Sequence, residues 1–90
     1  MSVPKAFGVV LLRHRKAKGW SQEKLALEAG HERVFISWLE NAKHQPTIST
    51  VFSLARALGI KPSEFVRDVE NEVERPSDRP SGKARRKRAK

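Results

Sequence analysis

Arg33, Val34, Ser37 and Trp38 carry the chemistry needed to read the edges of base pairs, and at helical spacing they fall, with Asn41, on one side of a helix. Arg33 can chelate guanine O6 and N7 through its planar fork, Ser37 can bond either base type, and Val34 can touch a thymine methyl. Trp38 offers one donor and much bulk, which suits a wedge against sugar and methyl groups. A face that met only water would favour charge, so a valine and a tryptophan beside an arginine mark an interaction surface.

The opposite side of the same segment is apolar: Phe35, Ile36 and Leu39 are predicted to face a core. Just upstream, Leu25, Ala26 and Ala29 show the same period, and Gly30 interrupts it. Glycine adopts the left-handed conformation that a helix end needs, and the small Ala26 lets a second helix cross close above it. Together these features predict a helix-turn-helix over residues 21–41.

Through Ser21-Gln22-Glu23, Leu25-Ala26, Ala29-Gly30, Ile36-Ser37, Leu39-Glu40 and Ala55-Arg56-Ala57-Leu58-Gly59, the chain resembles the Xre family of lambda-repressor-like and Cro-like transcriptional regulators, over about Phe7 to Val66. The resemblance implies an all-α, compact five-helix DNA-binding domain. It implies that Gln22 bonds a DNA phosphate, at a helix N-terminus whose free N–H groups and dipole favour anions. It also implies that Arg15 and Glu40 form a buried or half-buried structural ion pair, so that neither reads bases. Breaking such a pair strands a charge at a cost of roughly 3 to 5 kcal/mol. Family members often read a base, or approach the backbone, at the position of Trp38. They usually carry a glycine where this chain has Ala42, so Asn41 is the expected left-handed residue of that turn.

Flanking elements position the motif. Pro4 suits a first helical turn; Phe7, Val10, Leu11 and His14 then share one face until Gly19, while Val9 and Leu12 project from the other. Arg13, Arg15, Lys16 and Lys18 make the end of this helix basic, which suits its negative dipole end. Trp20 is expected beneath the motif, and Ser21 is a good N-cap. With Asn41, the polar residues Lys43, His44 and Gln45 before Pro46 can hold the DNA backbone beside the groove. Thr47 can cap a fourth helix carrying Val51, Leu54, Ala55 and Leu58, and Pro62 opens a fifth over residues 62–74. Within that acidic fifth helix, Phe65, Val66, Val69 and Val73 form a stripe that is expected to outlast the bundle. Val66, Val69 and Val73 are therefore predicted to meet their two-fold mates in a homodimer, with Val9 and Leu12 as the other available face.

Composition bounds the rest. Ninety residues allow one domain, placed at 1–75, followed by a basic segment at 76–90 expected to be disordered in the free protein. The net charge is +9, and seven Lys or Arg against Asp78 put +6 of it in that segment. Such an arm can sit in a minor groove or screen phosphates; a nuclear-import reading would need a eukaryotic source. There are no cysteines, and His14, His31 and His44 lack ligand spacing, so neither a metal nor another cofactor is expected. No apolar run approaches the roughly 18 residues of a membrane span; the expected location is the cytoplasm, associated with a bacterial nucleoid. No nucleophile and base cluster, and no glycine loop cradles phosphate, which argues against an enzyme. The leading expectation is a sequence-specific regulator binding double-stranded DNA at a palindromic operator as a dimer, with helix 3 in the major groove. The alternative is a protein-binding module, such as an antitoxin (which could also bind operator DNA) or a coactivator bridge, holding a protein partner through Val9, Leu12 or helix 5.

Overall fold

Residues 1–75 are described by the computed structural model; the expected disordered basic arm at 76–90 lies outside them. The helices follow as α1 Val3–Ala17, α2 Gln22–Ala29, α3 Arg33–Glu40, α4 Ile48–Ala57 and α5 Pro62–Glu74. Hydroxyl side chains cap three of them. Ser2, Ser21 and Thr47 accept from the backbone N–H groups of Lys5, Lys24 and Thr50 at 3.3, 3.0 and 3.1 Å, each satisfying a donor the first turn leaves open. Pro62 opens α5 without an N–H to satisfy. At the start of α3, Glu32 makes no side-chain cap.

Four of the helices end in the same turn, in which two backbone N–H groups reach back to the last helical carbonyls around one left-handed residue. Gly19, Gly30 and Gly59 fill that place after α1, α2 and α4, with φ of 71°, 76° and 78°. After α3 the residue is Ala42, at φ 60°, and not Asn41 as the sequence led us to expect. Asn41 stays at φ −99° as the C-cap and turns its amide back onto the Ser37 carbonyl at 2.8 Å. The left-handed position therefore falls one residue later, where Ala42 N–H bonds Leu39 O and Lys43 N–H bonds Trp38 O.

The core is built around α1, which lies against both α3 and α5, while α2 packs on α3 and α4. Leu11, Leu25, Ile36, Leu39, Leu54 and Phe65 are fully buried, each stabilising the fold by about 1.5 to 3 kcal/mol relative to exposure. The Phe7 and Phe65 rings meet at 5.2 Å between centroids. Gly8 lets α1 rest directly on the end of α3: a Cβ there would come within 2.6 Å of the Glu40 carbonyl oxygen and 2.8 Å of that of Leu39.

The α5 stripe does not outlast the bundle in the way expected. Val69 is buried and Val73 packs partly against the core, which leaves Val66 as the exposed member. The cause is α1, which runs alongside and also takes up the acidic face. Arg13 donates to Glu72 at 2.7 Å, and His14 Nε2 meets Asp68 at 2.8 Å while its ring lies 5.7 Å from that of Phe65.

Candidate nucleic-acid interface

Apolar burial fixes which side of α3 faces outward. With Ile36 and Leu39 held in the core and Phe35 partly covered, Arg33, Val34, Trp38 and Asn41 are left exposed and Ser37 half-buried. Val34 keeps 45% and Trp38 44% of its surface in solvent, high values for residues with this much to gain from burial.

Behind that face, Arg15 grips Glu40. Arg15 Nε donates to Glu40 Oε2 at 2.6 Å and Nη2 to Oε1 at 3.0 Å, while Nη1 donates to the Trp20 carbonyl at 2.8 Å. The two side chains are only 9% and 5% exposed, so the pair is buried, and every polar end of the guanidinium has an acceptor. Gln22 stands between this pair and the outward face. Its Nε2 donates to Glu40 Oε1 at 2.9 Å, and its Oε1 accepts from Arg33 Nη1 at 3.2 Å.

The residues singled out in the sequence thus fall into separate groups. Arg15, Glu40, Gln22 and Arg33 form one connected set. Asn41 and Ser37 form another, with Asn41 Nδ2 3.4 Å from Ser37 Oγ. Trp38 lies against His44, ring centroids 5.9 Å apart, and His44 meets Phe35 edge-on at 5.4 Å, so the loop after α3 folds back along the helix. Lys43 is exposed on that loop. Gln45 lines an apolar groove with Val3, Pro4, Phe7, Pro46 and Val66. On α4, Ile48 and Phe52 are exposed by 68% and 43%, and Val66 on α5 by 46%. On α1, Leu12 is exposed and Val9 half-buried.

One tie had no signal in the sequence. His31, in the turn between α2 and α3, places Nε2 2.8 Å from Ser53 Oγ on α4. Ser53 gives its one hydroxyl hydrogen to the Thr50 carbonyl at 2.9 Å, so the histidine is the donor and its Nε2 carries the proton. On the far side of the bundle, the hydrogen bond from Arg13 holds the Glu72 carboxyl below its ordinary value, with Arg75 adding to the effect and burial opposing it. Among the described residues no group of three or more His, Cys, Asp or Glu is placed to hold a metal ion, and no helix is long and apolar enough to cross a membrane.

A helix-turn-helix family model, HTH_3, matches residues 11–65. The chain is similar to the HTH-type transcriptional regulator y4dJ of Sinorhizobium fredii, with 35% identity over 66 residues that cover 73% of this chain and 86% of the relative. Among solved structures it is similar to the restriction-modification controller protein C.AhdI from Aeromonas hydrophila: 35% identity and a TM-score of 0.67, over 69% of this chain and 90% of that one. The clp gene regulator ClgR from C. glutamicum shares the fold at 20% identity and a TM-score of 0.77, over 84% of this chain and 99% of its own.

Proposed function

The chain belongs to the HTH_3 helix-turn-helix family, DNA-binding transcriptional regulators and not enzymes, and from that premise we propose that it binds a palindromic operator as a homodimer with α3 in the major groove. The observation that carries the proposal is the outward face of α3, where arginine, valine and tryptophan stay exposed over a fully buried Ile36 and Leu39. Arg33 reads guanine, Ser37 a hydrogen-bonding base edge and Val34 a thymine methyl, and Trp38 packs against sugar and methyl groups. Gln22, Asn41, Lys43 and Gln45 hold the phosphate backbone and fix the register without carrying sequence information themselves.

Selecting duplexes from a random pool defines the operator, and Arg33→Ala then tests the assignment. The substitution should cost on the order of 1 to 3 kcal/mol on the selected site and far less on random DNA. Equal losses on both would make Arg33 a phosphate contact.

For the dimer, the second copy docks on the apolar side chains that α4 and α5 leave exposed, Ile48, Phe52 and Val66. Phe52→Glu should give monomers in sedimentation velocity with the helix content unchanged. Val69→Glu is a poorer probe, because Val69 is 8% exposed and a charge there would unfold the chain itself. An unchanged mass for Phe52→Glu would move the interface to Val9 and Leu12.

A further inference from the structure

We infer that His44 is a positioning residue for DNA recognition, holding the Trp38 indole at a fixed angle through a column of rings anchored on α4; the inference rests on the reading of Trp38 as a contact to thymine methyl groups. The order of the rings carries it. Phe35 and Trp38 stand three residues apart on α3, so their side chains rise as neighbours on the helix surface. The His44 ring lies against both, 5.4 Å from Phe35 at 76° and 5.9 Å from Trp38 at 34°, centroid to centroid. Both separations lie within the range at which ring pairs attract.

The backbone puts the imidazole there. Lys43 N–H bonds the carbonyl of Trp38 itself at 2.8 Å, and the left-handed Ala42 makes the reversal that allows this. The next residue is thereby delivered beside the indole. On the other side of Phe35 stands His31, its ring centroid 5.1 Å away, and His31 Nε2 donates to Ser53 Oγ at 2.8 Å. The Ser53 hydroxyl is itself held by the Thr50 carbonyl at 2.9 Å, so the first ring of the column is tied to a fixed point. The column runs from α4, through the turn before α3, to the outward face of α3.

The consequence for recognition follows from the exposure of Trp38. With 44% of its surface in solvent, its rotamer is not fixed by the core alone. An indole that turned freely would lose that freedom on meeting DNA, and the loss would subtract from binding. Held by the imidazole, it is ordered before DNA arrives. Its angle also decides whether a methyl is touched at all, because a gap of about 0.5 to 1 Å already forfeits a quarter to a half of the dispersion attraction. A His44 that only held phosphate would contribute equally on every sequence. One that holds Trp38 contributes to the preference for thymine.

The test removes one methyl group from the DNA. Full-length protein is titrated by fluorescence anisotropy onto the selected operator and onto copies in which single thymines are replaced by uracil, which lacks only the C5 methyl. The thymine whose preference disappears in Trp38→Ala is the one that Trp38 touches. One buried methyl gives a preference of roughly four-fold. His44→Ala should bring it close to parity, whereas His44→Phe, which keeps a ring and removes the polar nitrogens, should retain it. In a Trp20→Phe background Trp38 is the sole tryptophan. Its time-resolved anisotropy in the free protein should then show added nanosecond motion in His44→Ala and none in His44→Phe. If the Trp20→Phe background does not fold, the duplex titrations decide alone. Equal weakening of thymine and uracil duplexes by His44→Ala, or no change in either, overturns the inference while leaving Trp38 as the reader. So does an indole no freer in His44→Ala than in the parent, or a His44→Phe variant that loses the preference. If no thymine depends on Trp38, the methyl reading itself fails, and the positioning role with it.

Discussion

Gly8→Ala sets two effects of known sign against each other. Glycine inside a helix costs about 1 kcal/mol relative to alanine, so on propensity alone the substitution should stabilise α1. Against this, the new methyl would sit 2.6 Å from Glu40 O, 2.8 Å from Leu39 O and 3.0 Å from Glu40 C. All of these are backbone atoms, so no side chain can rotate away. Reaching the 3.4 Å at which ordinary contact begins means parting α1 from the end of α3 by about 0.8 Å, in a core where Ile36, Leu39 and Leu11 are fully buried. Overpacking of this kind typically costs 1 to 3 kcal/mol, and the parted helices lose dispersion contacts as well. We therefore expect a net destabilisation of about 1 to 2 kcal/mol, a fall in Tm of roughly 10 °C for a domain of this size. Thermal and urea unfolding followed by circular dichroism measure it. A Tm equal to or above that of the parent protein would refute the reasoning, because it would mean that the α1–α3 crossing yields to a methyl group at negligible cost.

Ala42→Gly should act in the opposite direction. It relieves a left-handed alanine at φ 60° and is expected to raise stability by up to about 1 kcal/mol in the same unfolding experiments, since the Cβ penalty slightly exceeds the entropy that glycine adds to the unfolded chain; a loss of stability would contradict this. Arg13→Ala should weaken the fold near neutral pH and have little effect well below pH 4.5. The Glu72 carboxyl is held below its ordinary 4.5 chiefly by the Arg13 hydrogen bond, so the stability it contributes is present above that value and is lost as pH falls through the lowered one. Urea titrations across the acid range measure this, and an equal loss at every pH would show that Arg13 acts through packing alone.

How far the sequence could be read depended on the range of the interaction. Ser21, Thr47, Gly30 and Gly59 announce helix ends because capping and left-handed turns are decided within a few residues, and each is found in that role. The periods of α2 and α3 sort Leu25, Ile36 and Leu39 from Val34 and Trp38 for the same reason. Periodicity says which residues share a face, but not what covers it. Val69 read as part of an open stripe because nothing in 62–74 shows that α1 lies over it, and the acidic residues of that helix gave no sign of the contact between Glu72 and Arg13, 59 residues away. Gly8 resembles any weak point in a helix until the end of α3 is set against it. The contact between Arg15 and Glu40 was implied by family resemblance; periodicity alone does not bring those two residues together.

The turn after α3 shows why a local rule gives way next to the recognition helix. Three sister turns use glycine, while this one places a methyl-bearing residue in the left-handed region at a cost of about 1 to 2 kcal/mol. Several contacts hold it there. Lys43 N–H closes on Trp38 O at 2.8 Å, Ala42 N–H on Leu39 O at 3.2 Å, and the Asn41 amide on Ser37 O at 2.8 Å. Each hydrogen bond contributes about 1 kcal/mol net, enough together to offset the strain. The same bonds fix the backbone at Ser37 and Trp38 and send the chain back so that the His44 ring lies against Trp38 and Phe35. The outward face of α3 is therefore ordered from both ends, by Gln22 holding Arg33 at its start and by this turn holding Ser37 and Trp38 at its close. Strain concentrated at such a place is tolerated because the surrounding bonds determine the geometry more strongly than the residue opposes it.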